Sequence, residues 1–196
     1  MKSKEWLNRQ KNDPFVIKAQ NKGYLSRASF KLLEIEKKFH FIRKSNNIIE
    51  FGSSPGGWCQ VILECNINAK ITAIDLSEMK LKHGNIQFIK KDFKTIDYKS
   101  LNKKYDLILS DIAPNTTGHK STDHLRISTY IHDIIDLLNL IAYKNTNFVI
   151  KIWKGTEEKL IIEKLKSQFQ KVTYFKPNAS RKDSSEIFIV AQDFII

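Results

Sequence analysis

Ile48-Ile49-Glu50-Phe51 runs directly into the loop Gly52-Ser53-Ser54-Pro55-Gly56-Gly57-Trp58. The order predicts a strand, a glycine loop and then a helix from about Trp58 to Cys65. A doubly wound sheet presents backbone N–H groups to a nucleotide-like ligand at such a junction. The loop lacks both the G-x-G-x-x-G spacing of dinucleotide-binding proteins and the Gly-Lys-Ser/Thr of ATP-binding loops. Taken alone, it is also compatible with a plain turn.

Further apolar runs follow and alternate with helical patterns, which predicts an α/β fold with a mostly parallel sheet covered on both faces. The other predicted strands are Lys70 to Asp75, Ile86 to Lys90, Tyr105 to Ser110, Asn147 to Ile152, Val172 to Phe175 and Glu186 to Ala191. The other predicted helices run from a cap at Ser26 to about Phe39, from Thr122 to Tyr143 and from Glu157 to Phe169.

Length and composition predict one domain spanning residues 1–196, in which residues 1–25 are a basic N-terminal extension. The hydrophobic share of 41% is sufficient for a core. Cys59 and Cys65 have no partners in zinc-ligand spacing, so we expect neither a metal site nor a disulfide scaffold. With no long apolar run, we expect a soluble intracellular protein, cytoplasmic or mitochondrial, that does not insert into membranes.

The net charge of +12 and the pI of about 9.6 indicate an anionic partner. Residues 1–44 contain twelve Lys or Arg and four acidic residues, which accounts for +8 of that charge. Trp6, Phe15 and Tyr24 lie among these cations, a mixture that suits phosphate contact and base stacking. The alternative is a solvated lysine-rich surface that reflects compositional bias.

Five successive predicted strands each deliver a polar group near the carboxyl edge of the sheet, where open parallel sheets bind their ligands. Asp75 follows Gly52 at the distance expected for an acid that binds the hydroxyls of an adenosine. A lysine inside an apolar strand is costly to bury, so Lys151 should either extend to solvent at the strand end or lie in a site with a carboxylate partner, and the site is favoured. The five residues are Gly52, Asp75, Asp92, Asp111 and Lys151.

The chain resembles the FtsJ/RrmJ family of RNA 2′-O-methyltransferases over nearly its whole length. Glu50 stands where many members have Asp, and Ser53-Ser54 where they often have alanines. The resemblance rests on Asn12-Asp13-Pro14-Phe15, Ser26 to Leu32, Gly52 to Trp58, Ser110-Asp111-Ile112-Ala113-Pro114-Asn115, Val149-Ile150-Lys151, and Ser180-Arg181 with Glu186.

The resemblance implies a Rossmann-like, seven-stranded sheet whose last strand is antiparallel. It also implies methyl transfer from S-adenosylmethionine to the 2′-hydroxyl of a ribose, with a uridine of large-subunit ribosomal RNA as the expected target, either in free RNA or in the assembled large ribosomal subunit. It implies a catalytic tetrad of Lys31, Asp111, Lys151 and Glu186 in a monomer that needs no metal. The cofactor would be bound by Gly52, Ser53, Pro55, Gly56, Gly57, Trp58, Asp75, Asp92 and Asp111. The candidate RNA contacts are Arg9, Lys11, Lys18, Arg27 and Arg181.

In this interpretation Lys151 is the proton acceptor or the stabiliser of the developing alkoxide, and Asp111 orients it. Lys31 and Glu186 form an outer pair that positions the ribose. Three alternatives stay open: ribose methylation of tRNA, an RNA-binding assembly factor without turnover, and a dinucleotide-dependent oxidoreductase. Residues 6–15 resemble the ribosomal members, an intact tetrad disfavours the assembly factor, and the glycine spacing disfavours the oxidoreductase.

Overall fold

The structure is a computed structural model that describes residues 11–113, 117–155, 157–181 and 183–195. Four residues named above lie outside these ranges: Trp6 of the predicted stacking aromatics, the candidate RNA contact Arg9, and Pro114 and Asn115 of the turn that follows Asp111.

A seven-stranded sheet forms the centre of the protein. Its strands are β1 (Asn47–Phe51), β2 (Lys70–Asp75), β3 (Ile86–Lys90), β4 (Tyr105–Ser110), β5 (Ala142–Trp153), β6 (Phe169–Phe175) and β7 (Glu186–Phe194). They are arranged in the order β3-β2-β1-β4-β5-β7-β6. The pairs among β1 to β5 are parallel, whereas β7 is antiparallel to both β5 and β6. The predicted Rossmann-like sheet with an antiparallel last strand is therefore confirmed.

Helices cover both faces of this sheet. The described helices are α1 (Pro14–Asn21), α2 (Ser29–Phe39), α3 (Gly57–Cys65), α4 (Tyr98–Leu101), α5 (Lys120–Ile141) and α6 (Glu158–Lys166), with short 3₁₀ turns at Ile42–Lys44 and Phe93–Thr95. Within the described ranges, no helix combines the length and the apolarity needed to cross a bilayer.

The alternation of side chains along the strands divides the core into two layers. Ile49 and Phe51 of β1 pack with α5 and α6, whereas Ile48 packs with α2 and α3. On β5 and β7, Val149 and Phe188 belong to the α2–α3 layer. Because Lys151 is paired with Phe188 across the two strands, it lies on the same face and is directed toward α2.

Several predicted boundaries are wrong. The helix expected to run from Thr122 to Tyr143 spans Lys120–Ile141, and β5 begins at Ala142 instead of Asn147. The helix expected to begin at Ser26 begins at Ser29, and its N-cap position is Ala28, which has no side-chain cap. The helix expected to end at Phe169 ends at Lys166, and Phe169 instead opens β6. Its ring is buried between Phe148 and Phe194, and this tertiary packing outweighs the continuing helical pattern.

Part of the predicted basic extension is a packed helix. Asp13 caps α1 by accepting a hydrogen bond from the Phe15 N–H at 3.0 Å, and Pro14 occupies the first turn. Ala19 of this helix is buried against Phe30. Phe15 and Tyr24 pack against the same Phe30 ring. Their position among cations had suggested base stacking, but these two aromatic side chains instead support the fold.

Helix α5 provides a matched test of the core. Leu138 is fully buried, whereas Leu125 on the same helix is 66% exposed. We expect Leu138→Ala to lower the free energy of unfolding by about 2–5 kcal/mol because it leaves a cavity. Leu125→Ala should change it by less than about 0.5 kcal/mol. Urea unfolding of both variants measures this difference, and equal effects would contradict the position of α5.

Candidate functional site

The glycine loop passes very close to the chain that follows β4. Gly52 has φ +81°, and a Cβ at this position would lie 2.8 Å from the Ile112 Cα. The Gly52 and Ser53 N–H groups both donate to the Ile74 carbonyl, at 2.9 and 3.2 Å. Only glycine fits this combination of positive φ and close approach, so the loop brings the ends of β1, β2 and β4 together.

These strand ends surround a cavity of about 710 Å³. Gly52, Asp75, Asp92 and Asp111, four of the predicted cofactor-binding residues, all line it. They lie at the ends of β1, β2, β3 and β4 in turn, as expected for the carboxyl edge of a parallel sheet. The remaining lining residues are Phe51, Ser54, Ile74, Leu76, Ser77, Lys91, Phe93, Ile112, Ala113, Arg126 and Tyr130.

Two of these residues, Arg126 and Tyr130, come from α5 and were missed in the sequence. They lie four residues apart, so they share one side of the helix next to the buried positions Ile127 and Ile131. The spacing alone indicates that Arg126 and Tyr130 lie at the edge of the apolar face of this helix. Only the packing of α5 on the sheet places that edge at the cavity.

Two carboxylates also organise the cavity wall. Asp75 accepts hydrogen bonds from the Ser54 N–H at 2.9 Å and the Ser77 N–H at 2.7 Å. Asp92 accepts one from the Lys94 N–H at 3.0 Å. Asp75, at the end of β2, therefore links the glycine loop to the loop that follows β2.

Five predicted cofactor residues do not line the cavity: Ser53, Pro55, Gly56, Gly57 and Trp58. The two glycines allow close packing elsewhere. A Cβ on Gly56 would lie 2.7 Å from the Leu81 Cβ, and one on Gly57 would lie 2.3 Å from the Ser26 Oγ. These two glycines therefore dock the loop on neighbouring segments, and the binding of the cofactor by all five residues stays a prediction.

The Trp58 side chain is directed away from the cavity. It is buried, and its indole N–H donates to the Ala28 carbonyl at 2.8 Å. Its ring packs against Phe188 of β7, with ring centroids 5.9 Å apart. The tryptophan therefore fastens the glycine loop to the start of α2, the helix that carries Lys31.

The four residues of the predicted tetrad form one continuous network at the edge of the cavity. The Lys151 Nζ lies 2.9 Å from the Asp111 Oδ1 and donates to the Asp111 carbonyl at 2.8 Å. The Lys31 Nζ lies 3.8 Å from the same Oδ1 and donates to the Glu186 Oε2 at 2.7 Å. The Ser180 hydroxyl donates to the other oxygen of Glu186 at 2.8 Å.

Electrostatics favour the ionised form of the central carboxylate. Burial by itself would raise the pKa of Asp111, but the Lys151 and Lys31 ammonium groups outweigh burial and hold that pKa below its usual value. Asp111 therefore remains negative at neutral pH and holds both lysines. The four side chains are 7–13% exposed, and their formal charges cancel.

The candidate RNA contacts occupy two different environments. Lys11 and Lys18 are exposed, and the Lys18 Nζ lies 5.0 Å from the centre of the Phe30 ring. Arg27 and Arg181 instead line a second cavity of about 180 Å³, together with Lys31, Ser184 and Glu186. The two arginines thus lie directly beside the outer pair of the tetrad.

A family model, the FtsJ-like methyltransferases, matches residues 24–194 of the chain. The chain belongs to the FtsJ-like methyltransferases. It is 41% identical to a ribosomal RNA large subunit methyltransferase E of Ehrlichia chaffeensis, in an alignment covering 99% of this chain and 94% of the relative. It is 38% identical to the protein of the same name from Rickettsia conorii, covering 96% and 88%.

Solved structures support the same family. A crystal structure described as a ribosomal RNA methyltransferase of Plasmodium falciparum aligns with a TM-score of 0.76 and 32% identity, over 88% of this chain and 99% of that one. Fibrillarin from Methanococcus jannaschii aligns with a TM-score of 0.58 and 18% identity, over 80% and 70% of the chains, which shows a shared fold.

Glu50, where many FtsJ-like methyltransferases have Asp, is a buried acid outside the tetrad. It lies on β1 below the glycine loop and accepts a hydrogen bond from the Cys59 thiol at 2.9 Å. Burial raises the pKa of Glu50 from 4.5 to about 8, assisted by the negative charges of Asp111 and Asp75 and opposed by the thiol hydrogen bond. The carboxyl is therefore largely protonated at pH 7.

This raised pKa gives a pH dependence with a defined sign. The folded state binds the Glu50 proton more tightly than the unfolded state does. The stabilisation that comes from this proton is therefore complete below pH 4.5 and is lost as the pH rises toward 8. Glutamine mimics the protonated carboxyl at every pH, so the melting temperature of Glu50→Gln should be close to that of the parent at pH 5 and several °C higher at pH 8. For a protein of this size, 1 kcal/mol of stability corresponds to about 2–4 °C.

Thermal melts of both proteins at several pH values measure this difference. Glu163→Gln, at an exposed position on α6, is the control and should melt with the parent at every pH. A melting difference for Glu50→Gln that stays constant between pH 5 and 8 would contradict the raised pKa.

Proposed function

We propose that the protein transfers a methyl group from S-adenosylmethionine to the 2′-hydroxyl of a uridine in large-subunit ribosomal RNA. The observation that carries this proposal is the network of Lys151, Asp111, Lys31 and Glu186 at the edge of a carboxylate-lined cavity. The names of the two bacterial relatives support ribosomal RNA as the substrate class.

The chemistry of the larger cavity suits this cofactor. Asp75, Asp92 and Asp111 offer acceptors to ribose hydroxyls, to an amino group and to a positively charged centre. These three carboxylates outnumber the two cations of the lining, Lys91 and Arg126, so the cavity is poorly suited to the phosphates of a dinucleotide, which disfavours the oxidoreductase alternative. The close approach of Gly52 to Ile112 also leaves the wall beside Asp111 without a side chain. When bound, the cofactor supplies a methyl group that is already activated by its sulfonium charge.

The protein must then align the acceptor hydroxyl and manage its proton. We assign this task to Lys151, whose ammonium is buried beside Asp111, a residue that lines the larger cavity. Asp111 fixes the orientation of Lys151 through both its side chain and its carbonyl. Lys151 either stabilises the oxygen as negative charge develops or accepts the proton after losing its own.

The outer pair and the basic surface position the RNA. The Glu186 carboxylate, held by Lys31 and Ser180, is available to a ribose hydroxyl. Arg27 and Arg181 supply positive charge to the adjacent phosphates, and Lys11 and Lys18 extend that surface. All four tetrad residues come from one chain, so a monomer is sufficient for the reaction.

Methyl transfer to purified RNA tests the proposal directly. The parent protein, incubated with radiolabelled S-adenosylmethionine, should label ribosomal RNA from cells that lack this enzyme, and the linkage after the modified ribose should resist alkaline hydrolysis. Equal labelling of transfer RNA would favour the tRNA alternative. Tight RNA binding without labelling of either RNA would favour an assembly factor.

Removal of the acid that follows β2 tests the cofactor site. Asp75→Ala should weaken S-adenosylmethionine binding about tenfold or more, because it removes a charged acceptor and loosens the glycine loop at Ser54. Isothermal titration measures the affinity. Glu78→Ala, which removes an exposed acid three residues further on, should bind like the parent. Unchanged affinity in Asp75→Ala would exclude this assignment.

Substitution of the buried lysine tests the chemical step. Lys151→Met should reduce single-turnover methyl transfer by roughly 10²–10⁴-fold while cofactor and RNA still bind. Lys171→Met, on the exposed side of β6, is the matched control and should retain the parent rate. In the parent, a rate independent of pH favours the stabilising role of Lys151, whereas a rate that rises steadily with pH favours proton acceptance. A near-parent rate in Lys151→Met would contradict both.

A further inference from the structure

Asp13 is a buried acid that the mechanism above does not use. It precedes α1, and its Oδ1 accepts from the Phe15 N–H at 3.0 Å as the helix cap. Only 8% of the residue is exposed, although most capping acids of this kind face solvent. A buried carboxylate needs compensating partners, and the second oxygen of Asp13 provides the place for them.

Two arginines from distant parts of the sequence meet on that second oxygen. Arg27 Nη1 pairs with the Asp13 Oδ2, and Arg181 Nε lies 3.2 Å from the same atom. Arg27 also donates to the Ala179 carbonyl, and its guanidinium lies 5.7 Å from the centre of the Phe15 ring. One carboxylate therefore joins α1, the segment before α2 and the loop before β7.

A second acid, Glu34, also holds this loop. Glu34 of α2 accepts hydrogen bonds from the Asn178 N–H at 2.6 Å and the Ala179 N–H at 2.9 Å. The loop then provides Ser180, which donates to Glu186, and Arg181. Its position is thus set relative to α2 before any RNA arrives.

The orientation of the two arginines matters because both line the 180 Å³ cavity with Lys31 and Glu186. Two long cationic side chains that project from loops lose considerable rotamer freedom when they bind a phosphate. Partners on the protein that already hold them in place reduce that loss. Like charges brought this close would also repel each other without an anion between them.

We propose that Asp13 is a positioning residue for RNA binding, which holds Arg27 and Arg181 in the orientation that receives the phosphate next to the acceptor ribose. This inference rests on the proposed function, since it assigns the small cavity to RNA. It links the N-terminal helix, which lies outside the segment that the family model matches, to recognition of the substrate.

A purely electrostatic account makes the opposite prediction. Asp13 is an anion beside two cations, so its removal increases the local positive charge and should strengthen binding to a polyanion. In the positioning account, the same removal frees the two guanidinium groups and weakens RNA binding. The direction of the change therefore distinguishes the two.

Asp13→Asn and Asp13→Ser are the test variants, because both residues remain good helix caps and α1 should persist. The control is Asp97→Asn, which makes the same change of residue and charge at another N-cap. Asp97 is exposed and caps α4, which precedes β4, and it lines neither cavity. All variants are made in the full chain and assayed with ribosomal RNA and S-adenosylmethionine.

We expect the RNA Kd and the KM for RNA to rise about tenfold in both Asp13 variants, which is the scale of one lost charge-assisted contact. The kcat at saturating RNA should stay within about twofold, and cofactor affinity should not change. Asp97→Asn should bind RNA as the parent does or slightly more tightly.

Unchanged or tighter RNA binding in both Asp13 variants, with the parent fold retained, would overturn the inference. An equal loss of cofactor and RNA affinity would also overturn it, because that pattern indicates a general structural role. Failure of the parent to methylate RNA would instead overturn the proposed function, so the two failures are distinguishable.

Discussion

One carboxylate shared by two lysines is the constraint on which the site depends. The Asp111 Oδ1 lies 2.9 Å from the Lys151 Nζ and 3.8 Å from the Lys31 Nζ. Two ammonium groups paired with one oxygen repel each other and are costly to bury, so they need neighbouring anions. Asp111 supplies one negative charge and Glu186 supplies the second. Because the four residues come from α2, β5, β7 and the end of β4, the network exists only when the whole sheet is assembled.

The glycine loop supports this network by contacting the start of α2, the helix that carries Lys31. Ser29 Oγ donates to the Gly57 carbonyl at 3.0 Å, and the Trp58 indole donates to the Ala28 carbonyl. Both contacts seat the start of α2, two or three residues before Lys31. The loop whose first glycine borders the large cavity therefore also positions one of the two lysines.

Charge is distributed so that two ligands of opposite character can meet. The net charge of +12 describes the chain as a whole, yet the larger cavity is lined by three aspartates. The smaller cavity places Arg27, Lys31 and Arg181 around a single acid, Glu186. A cationic methyl donor and a polyanionic acceptor would each find complementary charge, and the tetrad lies where the two environments meet.

The sequence by itself determined the strands, because buried parallel strands are continuous apolar runs. It also determined the polar residues associated with them, because Asp75 and Asp111 stand where such runs end and Lys151 lies within one. Helix α1 was not predicted, although Asp13 and Pro14 are typical of an N-cap and a first turn, because the surrounding lysines obscure a helix of only eight residues. Tertiary structure decided what local pattern cannot encode. Phe169 joins a strand because its ring fills the core, Trp58 faces α2 rather than the cavity, and Asp13 meets arginines fourteen and 168 residues away. Periodicity reports which face of an element is buried, whereas the partner on that face depends on how distant segments pack.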